Sequence, residues 1–347
     1  MKEFDSQAAV PALLQWFAAN QRALPWRGTK EPYNIWISEI MAQQTRIAAL
    51  LPYYERFLAK FPNVQALAQA EEAEVLKAWE GLGYYSRARL LHRAAHEVVA
   101  NGGAFPRTAA ALAKLPGIGA YTAGAVASIC FNERVPAVDG NALRVFARLR
   151  DDARDVSRPE TKAALSAYLS GVMPKDAGAF NQAVMELGAL VCVPKQPRCA
   201  LCPIAGLCLA KAAGREMCLP VKAAKRARRV AHMVVLLIRN PAGELLLRRR
   251  TERLLQGMWV FALAETGHTP GVADAEAFLQ AHGFRRTSME PLGDAVHVFT
   301  HLEWHMTGYL CRVEEEAAPE GYQFVPPEVM RGLAIPSAVS FYRAAAL

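Results

Sequence analysis

Four of the chain's seven cysteines fall in one short window, as Cys192-x6-Cys199-x2-Cys202-x5-Cys208, while Cys130, Cys218 and Cys311 lie elsewhere. Thiolates are the ligands of iron–sulfur clusters and of zinc, and both need four donors brought together by one compact loop. A reducing compartment does not sustain disulfides, so the tight window reads first as a metal site. Zinc sites usually come as two separated close pairs, and here only Cys199 and Cys202 form such a pair. Zinc and disulfides stay open as alternatives at this point. A closed four-thiolate site leaves no position for substrate, so the bond-breaking residues belong elsewhere.

The window ends a helical region. From about Asp5 to Ala213 apolar residues recur at three- and four-residue spacing, broken by Pro32, Pro52, Pro62, Gly81, Pro106, Pro116, Pro136 and Pro174. Lys222, Lys225, Arg226, Arg228 and Arg229 then follow Pro220, a basic stretch that reads equally as a linker or as a solvated surface run. Beyond it, strands are expected at Ala231 to Arg239, Glu244 to Arg249, Trp259 to Leu263, His297 to Phe299 and Glu303 to Val313, with helices near Ala273 to His282 and Pro327 to Arg331. The organisation expected is an all-α domain over 1–216, a basic linker over 217–230 and an α+β domain over 231–347. A length of 347 residues suits two domains, and 52% hydrophobic with 21% charged residues suits a folded globular chain.

Charge and termini narrow the class. A formal net charge of +8 favours a polyanionic partner, nucleic acid above all, though many basic proteins bind nothing anionic. No apolar run approaches the roughly 18 residues of a membrane span; Met233 to Ile238 is strand-length. Met1-Lys2-Glu3-Phe4-Asp5 carries acidic residues and no apolar stretch of signal type, so a cytoplasmic, membrane-free monomer is expected.

Three local patterns bear chemistry. Leu115-Pro116-Gly117-Ile118-Gly119 joins two helical runs, Thr108 to Lys114 and Tyr121 to Cys130; glycines permit a sharp turn, and free amides at a helix start bind phosphate. A dinucleotide-binding loop would need a preceding strand and a third glycine where Thr122 stands, whereas a plain helix–helix turn fits as well. Glu39 interrupts an apolar helical stretch opened by Pro32, and a buried glutamate favours its neutral, proton-donating form. Asp139 precedes the helical run Ala142 to Arg150, where the helix start favours an anion. One protonated and one ionised carboxyl is the division of labour that glycosidic cleavage uses. Taken singly, a surface glutamate and an N-cap aspartate explain these residues equally well.

The cysteine spacing resembles the [4Fe–4S] loop of the endonuclease III and MutY glycosylases, and the Leu115–Gly119 turn resembles their helix–hairpin–helix. Leu24-Pro25-Trp26-Arg27, Ser38-Glu39-Ile40-Met41, Gln43-Gln44-Thr45, Gly81-Leu82-Gly83-Tyr84-Tyr85-Ser86-Arg87-Ala88 and Met185-Glu186-Leu187-Gly188-Ala189 are similar to the motifs of the MutY adenine glycosylase family across nearly the whole chain. The resemblance implies a helix–hairpin–helix glycosylase domain with a [4Fe–4S] cluster on Cys192, Cys199, Cys202 and Cys208, followed by a Nudix-like domain. It implies that Glu39 protonates adenine at N7 and later activates water. Asp139, helped by Asn141, stabilises the oxocarbenium ion or bonds transiently to the sugar. Leu24, Trp26, Arg27 and Glu186 would form the adenine pocket. Gln43, Gln44, Tyr84, Leu115, Gly117 and Gly119 would bind or enter the DNA stack, since the attacked atoms are out of reach in a stacked duplex. The substrate implied is double-stranded DNA with adenine opposite 8-oxoguanine or guanine.

Two positions refine this. Tyr121 stands where the endonuclease III type carries the Schiff-base lysine, so base removal without strong β-lyase activity is expected. Phe299-Thr300-His301 resembles the family's Phe-Ser-His loop that reads 8-oxoguanine; Thr300 keeps the hydroxyl and adds a methyl group. Nothing after Gly257-Met258-Trp259 matches the Glu-rich metal helix of Nudix hydrolases, which argues against pyrophosphate hydrolysis. The competing classes are an endonuclease III-type pyrimidine glycosylase/lyase, a non-catalytic DNA-binding or redox-sensing iron–sulfur protein, and a nucleotide pyrophosphatase.

Overall fold

The fold is that of a computed structural model describing residues 5–223 and 227–346. Lys225 and Arg226 of the basic stretch lie outside the described residues. The residues separate into two compact units. One gathers 5–54, 63–68 and 93–223; the other gathers 55–62, 69–92 and 227–346. The units therefore do not follow the sequence boundaries alone, because two helical segments group with the C-terminal residues.

The first unit is helical. The helix Ala177–Leu190 packs against Ser6–Asn20, Ala120–Phe131 and Gly140–Leu149, and Pro32–Ala42 packs against Ala120–Phe131. The chemistry of the sequence explains these elements locally. Pro32 sits at the first helical position, where its missing N–H is no loss. The Pro32–Ala42 helix buries Tyr33, Ile35, Trp36, Ile37, Ile40 and Met41. Asp139 caps Gly140–Leu149 by accepting from the Ala142 amide at 2.7 Å. Gly117 takes φ 74 in the turn before Ala120–Phe131, a left-handed conformation that glycine adopts without strain. The helix expected over Thr108 to Lys114 is only Ala109–Leu112. Its end comes where the chain enters the Pro116-Gly117 turn.

The second unit is built on a six-stranded mixed sheet: β1 (Arg229–Arg239), β2 (Leu245–Arg249), β3 (Trp259–Glu265), β4 (Arg286–Val298), β5 (Leu302–Val313) and β6 (Gln323–Val325), in the order β4-β5-β1-β3-β2-β6. β1 and β5 run parallel; the other pairs are antiparallel. β1 reads as a continuous apolar run because both of its faces are covered. Met233, Val235 and Leu237 pack in one cluster with Trp304 and Tyr342, while Val234, Leu236 and Ile238 pack in another with Phe278 and Leu279 of the helix Val272–Ala281. Two elements depart from expectation. β4 is far longer than His297 to Phe299 and stops before Phe299; it is a largely exposed edge strand with register shifts near Arg286 and Pro291, so it carries no apolar alternation. β6 has three residues, too few for a pattern.

Candidate active site

The four helices that meet in the first unit bring their polar residues to one cavity of about 980 Å³. Glu39 faces it from Pro32–Ala42, Tyr121 from the first turn of Ala120–Phe131, and Asp139 and Asn141 from the start of Gly140–Leu149. Met185 and Glu186 reach it from Ala177–Leu190, and Leu24, Trp26, Arg27, Gln43 and Gln44 also line it. A volume at the upper end of the roughly 300–1,000 Å³ typical of ligand sites suits a nucleoside, not a metal ion.

The two carboxyls are held differently. Burial pushes Glu39 from 4.5 up to about 7, against a hydrogen bond from the Tyr121 hydroxyl at 2.5 Å; the charge of Asp139 pushes the same way as burial, and that of Arg27 opposes it. Burial also raises Asp139, contrary to the simple expectation that its helix start would favour the anion. Opposing that burial, the Ala142 amide and the Asn141 side-chain amide each donate to Asp139 at 2.7 Å, and Arg144 lies close enough to stabilise the anion. Asp139 thus has more donors than Glu39, which favours its anion over that of Glu39.

Behind the cavity, Glu186 is 1% exposed and receives bonds from Arg22 Nε at 2.8 Å and Arg27 Nη2 at 2.9 Å. Burial raises its carboxyl, but the bonds from Arg22 and the charges of Arg22 and Arg27 outweigh this and hold it below the usual range. Arg27 also bonds Gln182. Sequence patterns gave no sign of Arg22 or Gln182; partners across the fold, Glu186 and Arg27, are what tie them to the site. Trp26 is buried edge-on against Tyr54, with ring centroids 4.9 Å apart. Gln44 sits at the cavity with φ 59, a left-handed conformation that strains a side-chain-bearing residue. Gly188 permits the close approach of Asn141: a Cβ there would lie 2.6 Å from the Asn141 Cβ.

Cys192, Cys199, Cys202 and Cys208 line a second cavity in this unit with Arg148 and Lys211. Among the described residues no group of three or more His, Cys, Asp or Glu converges closely enough to hold a single metal ion; the thiols ring a space instead. The donor set fits a cluster: four soft thiols, none in a disulfide, with Arg148 Nη1 3.3 Å from Cys192 Sγ to offset thiolate charge. Burial raises Cys199 and Cys208 and pushes Cys202 up to about 11. One connection was not legible in the sequence. Arg144 donates to the Cys192 carbonyl, to the Gly188 carbonyl and to Asn141 Oδ1, each at 2.8 Å, and Asn141 in turn holds Asp139. Arg144 and Arg148 at i, i+4 in an otherwise buried helix were the available signal.

In the second unit, a cavity of about 480 Å³ is lined by Tyr84, Phe299, Thr300 and His301. Thr300 and His301 are exposed in the β4–β5 turn, and the Thr300 Oγ1 lies 3.4 Å from the Tyr84 hydroxyl. Phe299 is wedged edge-on between His297 and Trp304, with centroids at 4.6 and 5.0 Å. Tyr84, 45% exposed, has φ 50, a strained backbone that presents its ring outward. Leu115 is buried, while Gly117 and Gly119 form the turn and the N-cap of Ala120–Phe131.

Residues 37–170 match the HhH-GPD superfamily of base excision DNA repair proteins, and residues 234–344 match the NUDIX domain. A solved structure of a thermostable thymine-DNA glycosylase superposes with a TM-score of 0.55 at 27% identity, covering 60% of this chain and 97% of that one. A helical unit with two carboxyls in its cavity, followed by a NUDIX-like unit, defines a base-excision DNA glycosylase, whose substrate is DNA. Two curated relatives narrow the class. The adenine DNA glycosylase of Arabidopsis thaliana is 36% identical over 86% of this chain, which spans 56% of that protein's length. The adenine DNA glycosylase of Rattus norvegicus is 34% identical over 94% of this chain and 75% of its own length. The chain belongs to the adenine DNA glycosylase family, enzymes that remove adenine from DNA.

Proposed function

We propose that the enzyme flips adenine, paired with 8-oxoguanine or guanine, out of duplex DNA and hydrolyses its N-glycosidic bond as a monomer. The observation that carries the reading is the pair of unequal carboxyls in one cavity, with Glu39 protonated up to about pH 7 and Asp139 supplied with donors to its anion. Glu39 donates its proton to adenine N7, which weakens the bond to C1′ as the base leaves. Asp139 faces the positive charge that then develops on the sugar, and Asn141 fixes its carboxylate. Glu39, now ionised, takes a proton from the attacking water, and Tyr121 holds it in place. Trp26, Leu24, Arg27 and Glu186 shape the base pocket. Tyr121 itself offers no amine for a Schiff base with the sugar, which favours base removal without strong β-lyase activity.

Cys192, Cys199, Cys202 and Cys208 would hold a [4Fe–4S] cluster, which supplies a rigid, charged cross-link and takes no part in bond cleavage. Arg144 joins that loop to Asn141 and the catalytic aspartate. Gln44 and Tyr84 enter the base stack, and Phe299, Thr300 and His301 read the partner base. The compartment proposed is the cytoplasm. The test is adenine release from duplexes with 8-oxoguanine, guanine, cytosine or thymine opposite, comparing the parent with His301→Ala. The parent should favour 8-oxoguanine, and the variant should lose that preference while still releasing adenine. Identical preference in both would remove the turn from partner recognition.

A further inference from the structure

The basic stretch after Pro220 is tied to the catalytic unit before it leaves the described residues. Arg148 Nε donates to the Leu219 carbonyl at 3.0 Å, and the Val156 amide donates to the Val221 carbonyl at 3.0 Å. The Ala223 amide donates to Asp155, whose carboxylate also takes the Ser157 hydroxyl and amide. Lys222 is therefore flanked on both sides by anchored backbone. Its exposed side chain lines the same cavity as Glu39 and Asp139, and so does exposed Lys162 from the first turn of the helix Pro159–Val172. Neither lysine forms an ion pair or a side-chain hydrogen bond among the described residues. The neighbouring acid, Asp155, is occupied by Ser157 and Ala223. Two lysines without a described partner, at the rim of a cavity that holds Glu39 and Asp139 and whose Arg22 and Arg27 are already paired with Glu186, suit anionic groups that stop at the rim while a neutral base goes in.

We propose that Lys162 and Lys222 form a phosphate clamp at the cavity mouth, gripping phosphodiesters of the strand whose base lies inside. The clamp makes the start of the basic stretch part of the catalytic site and not only a connector. The inference rests on the glycosylase reading of the cavity. A lysine on a phosphate releases a condensed counterion when DNA binds, so each one lost lowers the slope of log affinity against log salt by about 0.9. The experiment measures duplex binding of the parent, Lys162→Ala, Lys222→Ala and the double variant between about 50 and 200 mM salt, with single-turnover excision alongside. The parent's affinity should fall across that range by about tenfold more than the double variant's. Arginine at both positions should restore the parent's slope, and the excision defect should fall on the half-saturating enzyme concentration more than on the rate at saturation. A double variant with the parent's slope, or arginine variants that fail to restore it, would overturn the clamp. The slope comes from binding alone, so a parent that released no adenine would overturn the catalytic reading and leave this measurement standing.

Discussion

Replacing Glu39 by Gln should abolish excision and, above neutral pH, stabilise the protein. Burial raises the Glu39 carboxyl from 4.5 to about 7, so the fold holds its proton more tightly than the unfolded chain does. The stability contributed by that proton is complete below pH 4.5 and is lost as pH rises through about 7. At 1.36 kcal/mol for each pH unit, the ionised carboxylate is about 3 kcal/mol less favourable in the fold at pH 8 than the proton-bearing form was at pH 4. A glutamine keeps the shape, can accept the Tyr121 hydroxyl and never ionises. Urea unfolding of the parent and Glu39→Gln at about pH 4 and pH 8 gives the difference in stability at each, and titrations remote from Glu39 cancel in it. The variant should gain about 3 kcal/mol relative to the parent on going from the lower to the higher pH. A difference that stays flat with pH would refute the buried, proton-holding Glu39, whatever its effect on excision.

Three further perturbations probe the surrounding supports. Tyr121→Phe removes the hydroxyl that stabilises ionised Glu39; a bond to a charged acceptor contributes about 1.5–3 kcal/mol, so the alkaline limb of the single-turnover pH profile should move up by about one unit or more. An unmoved limb would detach that limb from Glu39. Gly188→Ala places a methyl group 2.6 Å from the Asn141 Cβ, and should lower stability by about 1–3 kcal/mol while slowing excision through displacement of Asp139, as thermal unfolding and single-turnover rates would show. Glu186→Gln leaves Arg22 and Arg27 without their countercharge; the loss should be about 3 kcal/mol in urea unfolding, at the lower end for a buried pair because the Arg22 side chain is 34% exposed.

The sequence exposed those parts of the molecule whose chemistry is written locally. The cysteine window, Pro32 opening an apolar helix around Glu39, and the glycine turn before Ala120–Phe131 were legible because short-range spacing creates them. The apolar run of β1 was legible as a strand because it is buried on both faces. β4 was not, because an exposed edge strand with bulges needs no hydrophobic period. In the site, Arg22 and Gln182 were hidden because their partners stand more than a hundred positions away, and Arg144 because two of its acceptors, Gly188 and Cys192, stand more than forty positions away. The ionisation of Asp139 was read from its helix start alone, whereas burial acts against that dipole and decides the direction.

The most direct test is a single-turnover assay on a duplex with adenine opposite 8-oxoguanine, read with and without alkali, beside an adenine–thymine duplex. Monofunctional hydrolysis at the Glu39–Asp139 cavity predicts strand breakage only after alkali, and only in the mispaired duplex. Breakage without alkali, or equal adenine release from the paired duplex, would contradict it.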